Sequence, residues 1–327
     1  MQRERIERGG GEMCLDVSMK VVIYGNGRIG QHWRKVVGED RVAAVVDVVA
    51  PAGVDAKWAS ELTAEVARGA QGAIVCTPTG LHKRHVLECL ALGLHVLCEK
   101  PLSMVADEIA DCFDAAERAG KRLVVGLNRR WDALLAKVPR CRPGGTVSIA
   151  CRDFPEPGEG YLASSGSVFH DCLIHEVDLA LHRTGLTLDA DARVWIHAHD
   201  NPPLPSSAWL RSGTVGVETR DGQTLIMTFS RQSDGYVHSM CVDGQTFGTP
   251  SRPGDTFMAR FEGAFELLWA TFAKVMQGAA LSAAEEFTVP TRAECLTVCA
   301  FLDRLDAAYA ASTAKAVKPA VTWAVSA

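Results

Sequence analysis

The chain contains no apolar run approaching the ~20 residues of a membrane-spanning helix, so no such span is expected. It contains no block of basic residues either. Its 34 Lys and Arg are dispersed among 39 Asp and Glu, for a formal net charge of −5. That leaves no stripe for nucleic acid and no patch for a membrane surface. The eleven cysteines include no CxxC pair and no accompanying histidine spacing of the kind a metal site shows. Cys295 and Cys299, four apart on a predicted helix, read as small buried side chains, with a ligand pair as the alternative. Unpaired cysteines in such number fit a reducing compartment, the cytosol. The opening "MQRERIERGGGEMCLDVS" has no hydrophobic segment and is not a secretory signal; residues 1–18 read as a disordered lead-in. No internal repeat is present. What remains is a globular chain of 327 residues, 47% hydrophobic, long enough for two domains.

Two rhythms divide it. From 19 to about 130, short apolar runs alternate with segments of helical spacing. The runs are "KVVIYG", "RVAAVVDV", "AIVCTP", "HVLCEKP" and "RLVVGLN"; helices are expected at 28–38, 57–69, 80–93 and 106–120. Continuous apolar strands alternating with helices indicate a parallel sheet covered on both faces, an α/β doubly wound (Rossmann) domain. From 131 to 327 the pattern changes to α+β with a mostly antiparallel sheet. Strands are expected near 146–152, 192–199, 214–220, 224–230 and 237–243, joined by turns such as "RDGQ" and "VDGQT". Helices are expected over 168–183, 257–278 and 291–311. The tail "KAVKPAVTWAVSA" has no clear pattern.

In "YGNGRIG", Gly25, Gly27 and Gly30 follow a strand and open a helix in the spacing G-x-G-x-x-G. The first allows the tight turn, the second a close approach of backbone to a pyrophosphate, and the third close packing of helix on strand. Free N–H groups at the helix start hold the phosphates. Asp47 ends the second strand 22 residues on, where a carboxylate accepts from ribose hydroxyls and repels a 2′-phosphate. No arginine follows in "VVAPAG", so NAD is expected over NADP. The cofactor-binding set is Gly25, Gly27, Arg28, Ile29 and Gly30; Asp47; Thr77, Pro78 and His82 after the third strand; and Glu99 and Lys100 after the fourth. A surface ion pair is the plainer reading of Glu99-Lys100, but the pair closes a buried strand at the ligand-binding edge, with Pro101 fixing the turn.

"GSVFHDCLIHEVDLALHRTG", residues 166–185, crowds ionisable groups into an apolar helix. Over a continuous helix Asp171, His175 and Asp178 stand at i, i+4 and i+7, on one face. His182 reads as a core histidine.

These stretches resemble the Gfo/Idh/MocA oxidoreductase family, NAD(P)-dependent enzymes of sugars, inositols and related polyols. The resemblance runs from about 20 to 312 and rests on "GNGRIG", "TPTGLHKRHVLECLALGLHVLCEKPLS" and "GLNRRWD". Thr79 stands where asparagine is usual, and Trp131 where phenylalanine or tyrosine is. "CRDFPEPGEGYLASSGSVFHDCLIHEVDLALHRTG" and "FSRQSDGYVHSMCVDGQTFG" are similar to the inositol 2-dehydrogenase branch, with Phe154, Ser167 and Val237-His238-Ser239 departing from its pattern. The resemblance implies a catalytic set of Lys100, Asp171 and His175. His175 would take the hydroxyl proton as general base, Asp171 would orient its ring, and Lys100 would stabilise charge on the reacting oxygen. Hydroxyls of a polyol would be met by Arg129, Asp132, Asp153, Asp178 and Tyr236, and no metal is required. The expected reaction is oxidation of a cyclic polyol, myo-inositol to 2-keto-myo-inositol, by a homo-oligomer (dimer or tetramer). The alternatives are another sugar or trans-dihydrodiol dehydrogenase of the family, and a non-catalytic NAD-binding regulator.

Overall fold

The structure, a computed structural model, describes residues 3–6, 13–16, 19–50, 57–153, 158–188, 191–199, 206–248 and 253–316. It opens with β1 (Arg3–Ile6) paired antiparallel to β2 (Met13–Asp16). The lead-in expected to be disordered thus carries a hairpin, with Gly9, Gly10 and Gly11 lying in the chain between its strands. Next come β3 (Val21–Tyr24), α1 (Arg28–Val37), β4 (Val42–Val46), β5 (Lys57–Ala59), β6 (Gly72–Val75) and α2 (His82–Ala91). β7 (His95–Glu99), α3 (Ala106–Arg118) and β8 (Leu123–Gly126) complete this run. The six strands β3 to β8 form one parallel sheet in the order β5-β4-β3-β6-β7-β8. All four residues of β3 and of β6 are buried, as a strand with both faces covered requires. The order reverses between β3 and β6, and the crevice beyond their carboxyl ends is where such sheets bind ligands.

The helix expected over 57–69 does not form. Residues 57–59 instead add the edge strand β5 beside β4, and Trp58 donates its indole N–H to the Asp47 carbonyl at 3.0 Å. Residues 64–69 are turn.

The chain continues through β9 (Thr146–Arg152), α4 (Glu159–Ser164), a π-helical turn (Phe169–Leu173) and α5 (Ile174–Thr184). Gly185 closes α5 in the left-handed region at φ 70°, the usual glycine stop. β10 (Arg193–Ala198), β11 (Ser212–Glu218), β12 (Thr224–Ser230), β13 (Val237–Val242) and β14 (Gln245–Gly248) follow. These strands make a sheet in the order β10-β11-β12-β9-β13-β14, in which only β12 and β9 run parallel. Asp243 and Gly244 both take positive φ, 48° and 87°, as a two-residue hairpin turn between β13 and β14 demands. The Asp243 carboxylate is also useful: it accepts from the backbone N–H of Arg142 and of Thr146, at 3.0 and 2.9 Å. The last elements are α6 (Phe257–Arg260), α7 (Glu262–Met276), α8 (Ala283–Thr288) and α9 (Arg292–Ala316).

The chain divides into two compact units. One comprises Met1–Val138 and Phe257–Cys299, the other Pro139–Thr256 and Ala300–Ala327. Residues 131–138 and 257–299, expected in the second domain, therefore belong with the parallel sheet. The reason lies in α7, whose buried Phe272 and Met276 pack where Gly72 of β6 has no side chain; a Cβ there would collide with the Met276 sulfur and press on the Phe272 ring. Trp131 donates to Thr271 Oγ1 at 3.0 Å, and Arg130 pairs with Glu294 at 3.1 Å.

In the second unit the inward positions of β9, β12 and β13 alternate as a half-covered sheet should. Val147, Ile149, Leu225, Met227, Phe229 and Met240 are each at most 4% exposed, and each such side chain contributes about 1.5–3 kcal/mol on burial. Among the described residues no helix is long and apolar enough to cross a membrane. Phe154 and the tail beyond 316 lie outside the described residues.

Candidate active site

The first unit presents the dinucleotide edge. Gly25 has φ 99°, and a Cβ there would stand 2.8 Å from the Cys76 carbonyl. At Gly30 a Cβ would strike the Gly25 carbonyl oxygen, whereas Gly27 has nothing within 4 Å. Two glycines are therefore required by packing, and the middle one leaves backbone open to a ligand at the start of α1. Asp47 accepts from the N–H of Asn26 at 2.6 Å and of Val49 at 2.9 Å, which fixes its carboxylate beside the glycine turn. An open cavity of about 580 Å³ lies here, lined by Asn26, Gly27, Arg34, Lys35, Asp47 and Val49 among others. The cradle fits a dinucleotide: a bare glycine for the pyrophosphate and a fixed carboxylate for ribose hydroxyls.

Arg34 and Lys35 in this cavity come from α1 and were invisible to a search confined to the residues after Asp47. The Arg34 guanidinium is held by Glu39 at 2.5 Å and by Asn26 Oδ1 at 3.1 Å. Arg28 extends from the turn over the Phe257 ring, 5.4 Å from its centroid, and Ile29 is half-buried at the start of α1.

At the end of β7, Glu99 is not in a surface ion pair. Its Oε1 accepts from the Trp33 indole at 2.7 Å and its Oε2 from the Lys100 N–H at 3.3 Å. Burial raises its pKa against these contacts and the Lys100 charge. Thr77 is half-buried and Pro78 exposed at the end of β6. Behind them, Thr77 Oγ1 lies 2.9 Å from His85 Nδ1, and the His85 ring stacks on Tyr24 at 4.0 Å. His82, expected on the cofactor, stands behind the edge: it is 1% exposed, and both ring nitrogens face backbone carbonyls.

In the second unit, the continuous helix expected over 168–183 is interrupted. Residues 169–173 form a wider π turn before α5 begins, so the four-residue spacing from Asp171 to His175 does not stack them as an α-helix would. His175 and Asp178, both inside α5, keep their shared face. The Asp171 carboxylate accepts from Tyr161 Oη at 2.6 Å and from Arg231 Nη2 at 2.9 Å. Arg231 is 1% exposed and also donates to the Ala208 carbonyl at 2.8 Å. Burial, followed by the Asp171 charge, raises the Tyr161 pKa, so the phenol remains a donor. His175 is 8% exposed and Asp178 1%. The residue between them and the neighbouring strand carry a second pair, Glu176 with His238 at 2.9 Å, both essentially buried. His182 is buried, in keeping with a core histidine.

Arg231, Tyr161 and the Glu176–His238 pair were missed in the sequence. For two of them a signal existed. Leu225, Met227 and Phe229 set an inward phase of two that Arg231 continues, and His238 shares the inward phase of Met240 and Val242.

The residues expected to hold a polyol are placed as follows. Arg129 is buried, its guanidinium 5.3 Å from the Phe261 ring centroid. Asp132 serves as a structural corner, its Oδ1 accepting from the N–H groups of Leu134 and Leu135 and its Oδ2 pairing with Arg260. Asp153 Oδ2 lies 3.3 Å from the Cys172 sulfur. Tyr236 is 3% exposed, its hydroxyl 3.9 Å from the Cys151 sulfur.

A doubly wound sheet, a glycine turn opening α1 and a fixed carboxylate at the second strand end define a dinucleotide-dependent oxidoreductase. Residues 19–127 match the oxidoreductase family with an NAD-binding Rossmann fold known as GFO_IDH_MocA. Over those residues the chain is similar to the Gfo/Idh/MocA family and carries its NAD-binding Rossmann domain. It is 28% identical over 248 residues to an inositol 2-dehydrogenase of Rhizobium meliloti, covering 70% of this chain and 74% of that one. To an inositol 2-dehydrogenase of Paracoccus denitrificans it is 35% identical over 185 residues, covering 50% of this chain and about half (53%) of the relative. The fold is like that of myo-inositol 2-dehydrogenase from Lactobacillus plantarum, with TM-score 0.75 and 16% identity over 90% of this chain and 98% of that one. A Lactobacillus casei scyllo-inositol dehydrogenase solved with NAD(H) and scyllo-inositol gives TM-score 0.74 at 18% identity, over 90% and 98%.

Proposed function

We propose that the protein is an NAD-dependent dehydrogenase that oxidises a secondary hydroxyl of a cyclic polyol, myo-inositol to 2-keto-myo-inositol. The observation that carries the reading is the buried face of α5 in the second unit, which holds the imidazole of His175 and the carboxylate of Asp178 together on one side of the helix. It stands in a chain whose first unit is built for NAD and whose curated relatives include inositol 2-dehydrogenases.

Oxidation breaks the carbinol C–H bond and the O–H bond and forms a carbonyl. Bound NAD supplies the hydride acceptor. His175 takes the hydroxyl proton, since imidazole titrates near working pH. Asp171, held by Tyr161 and Arg231 in the turn before α5, is the carboxylate assigned to favour the resulting imidazolium through its charge and not by stacking on the ring. Lys100 donates to the reacting oxygen and stabilises the charge that builds on it. Placed proton transfer of this kind contributes ~10²–10⁴-fold in rate. Arg129, Asp132, Asp153, Asp178 and Tyr236 are the residues assigned to the remaining hydroxyls. The working protein is a homo-oligomer, a dimer or tetramer, of a reducing cytoplasm; the described free cysteines support the latter, and light scattering of the purified protein tests the former.

NADH formation from a panel of inositols, hexoses and dihydrodiols, in wild type beside Lys100→Ala and His175→Ala with NAD binding measured in each, tests the reading. Turnover of myo-inositol that both replacements abolish while NAD still binds is the expected result. A hexose or dihydrodiol turned over with no inositol active would move the substrate within the family. NAD binding with no turnover on the whole panel would make the chain a cofactor-binding regulator.

A further inference from the structure

The His82 ring lies between the ends of two loops. Nε2 is 2.7 Å from the Thr77 carbonyl oxygen, and Nδ1 is 2.8 Å from the Pro101 carbonyl oxygen. Both partners only accept, and a neutral imidazole carries a single N–H. Burial, against the pull of the two carbonyls and with the Lys100 charge, holds His82 below its ordinary basicity. One proton is therefore shared between two acceptors inside the protein. Those acceptors are far apart in the chain but adjacent in purpose. Thr77 opens the loop after β6, at the crevice where the sheet order reverses. Pro101 directly follows Lys100 at the end of β7. Shifting either loop shifts the acceptor at one end of a rigid ring and so bears on the other.

We propose that His82 is a positioning residue that couples the cofactor loop at Thr77 to the turn carrying Lys100, and so sets where that lysine stands. The inference rests on the reading of Lys100 as the catalytic lysine and of the Thr77 loop as a wall of the NAD site.

Two replacements separate the halves of the strut. The amide nitrogen of asparagine falls near the place of Nδ1, and that of glutamine near the place of Nε2. His82→Asn thus keeps a donor toward Pro101 and loses the one toward Thr77; His82→Gln does the reverse. His82→Asn is expected to weaken NADH binding, read by fluorescence titration, about tenfold while kcat stays near wild type. His82→Gln should bind NADH almost normally and lose roughly 10-fold to 10²-fold in kcat, as misplacement of a catalytic group does. Acylation of Lys100 by an amine-reactive ester, followed by peptide mass spectrometry, should change in His82→Gln and not in His82→Asn. A purely structural histidine would lower the melting temperature of both variants without splitting these readouts. Equal effects of the two replacements, or none, would overturn the proposal. NADH affinity and Lys100 acylation need no polyol, so they decide it even where wild type oxidises none and the substrate reading has failed. Should neither variant fold, ¹⁵N NMR of the His82 ring in wild type serves instead. Its nitrogen shifts should move when NADH binds; unmoved signals would overturn the coupling.

Discussion

The two units hold their polar groups in opposite ways. At the cofactor edge of the first, the decisive atoms are backbone or backbone-bound: the bare Gly27, the carbonyl behind Gly30, and a carboxylate pinned by two N–H groups. In the second, polar side chains from distant segments meet inside the fold, Asp171 with Arg231 and Glu176 with His238. The first arrangement costs little, because each backbone donor already needs an acceptor. The second is exposed to loss: removing one member of a buried pair leaves the other charged and desolvated. The contrast teaches that a binding surface for a common cofactor can be made from chain geometry, whereas the polar interior of the second unit depends on side chains that meet from distant segments.

The largest expected break in that contrast is Arg231→Met, which should cost about 3–5 kcal/mol in urea unfolding because the buried Asp171 loses its guanidinium partner. Adding Asp171→Asn should recover part of the loss; a double variant no better than the single would show that the pair is not the source. Next is Gly30→Ala, where the new Cβ meets the Gly25 carbonyl. Strain of about 1–3 kcal/mol is expected, appearing as weaker NAD binding in a calorimetric titration. A smaller effect should follow Glu39→Gln, which frees Arg34 beside the ribose cavity. An exposed charge change of about 1 kcal/mol would move the ratio of kcat/KM for NADP over NAD roughly fivefold toward NADP, with Asp47 still setting the overall preference.

The smallest effect concerns Asp306. Burial works against its charge, but hydrogen bonds from His170 and Ser207 outweigh that and hold its pKa below the usual carboxylate value. A carboxyl depressed in the folded state contributes stability above its unfolded pKa, and the contribution disappears as pH falls through the folded value. Urea midpoints measured from pH ~5 downward should therefore decline less steeply in Asp306→Asn than in wild type. Identical slopes would remove Asp306 from the acid response.

What could be read in the sequence follows the same division. The glycine turn, Asp47 and the strands of the parallel sheet depend on neighbours a few residues away, and the strand phases of the second sheet do too. What spacing alone did not show was decided by remote partners. Residues 57–69 look helical by spacing, but the open edge of β4 takes 57–59 as a strand. The 257–299 segment follows the second sheet in the chain yet packs with the first unit, because Gly72 leaves space for Phe272 and Met276. Asp132 sits in a motif suggestive of substrate binding, but Arg260, 128 residues away, claims one of its oxygens. Asp171 was assigned to His175 on helical spacing, and its guanidinium partner is 60 residues on. His82 was assigned to the cofactor edge by its motif, and the motif says nothing of whether a ring faces a ligand or, with both nitrogens on backbone carbonyls, braces the wall.

The π turn at 169–173 makes the length of this helix a tuning parameter in its own right. Each residue of an α-helix advances the chain by about 100° around the axis, so deleting one residue within the turn would restore an unbroken α-helix and rotate Asp171 relative to His175. Carboxylate and imidazole could then be brought into stack without changing either of them. A lineage altering only residue count at this point would change the partner of an acid by gearing instead of by substitution.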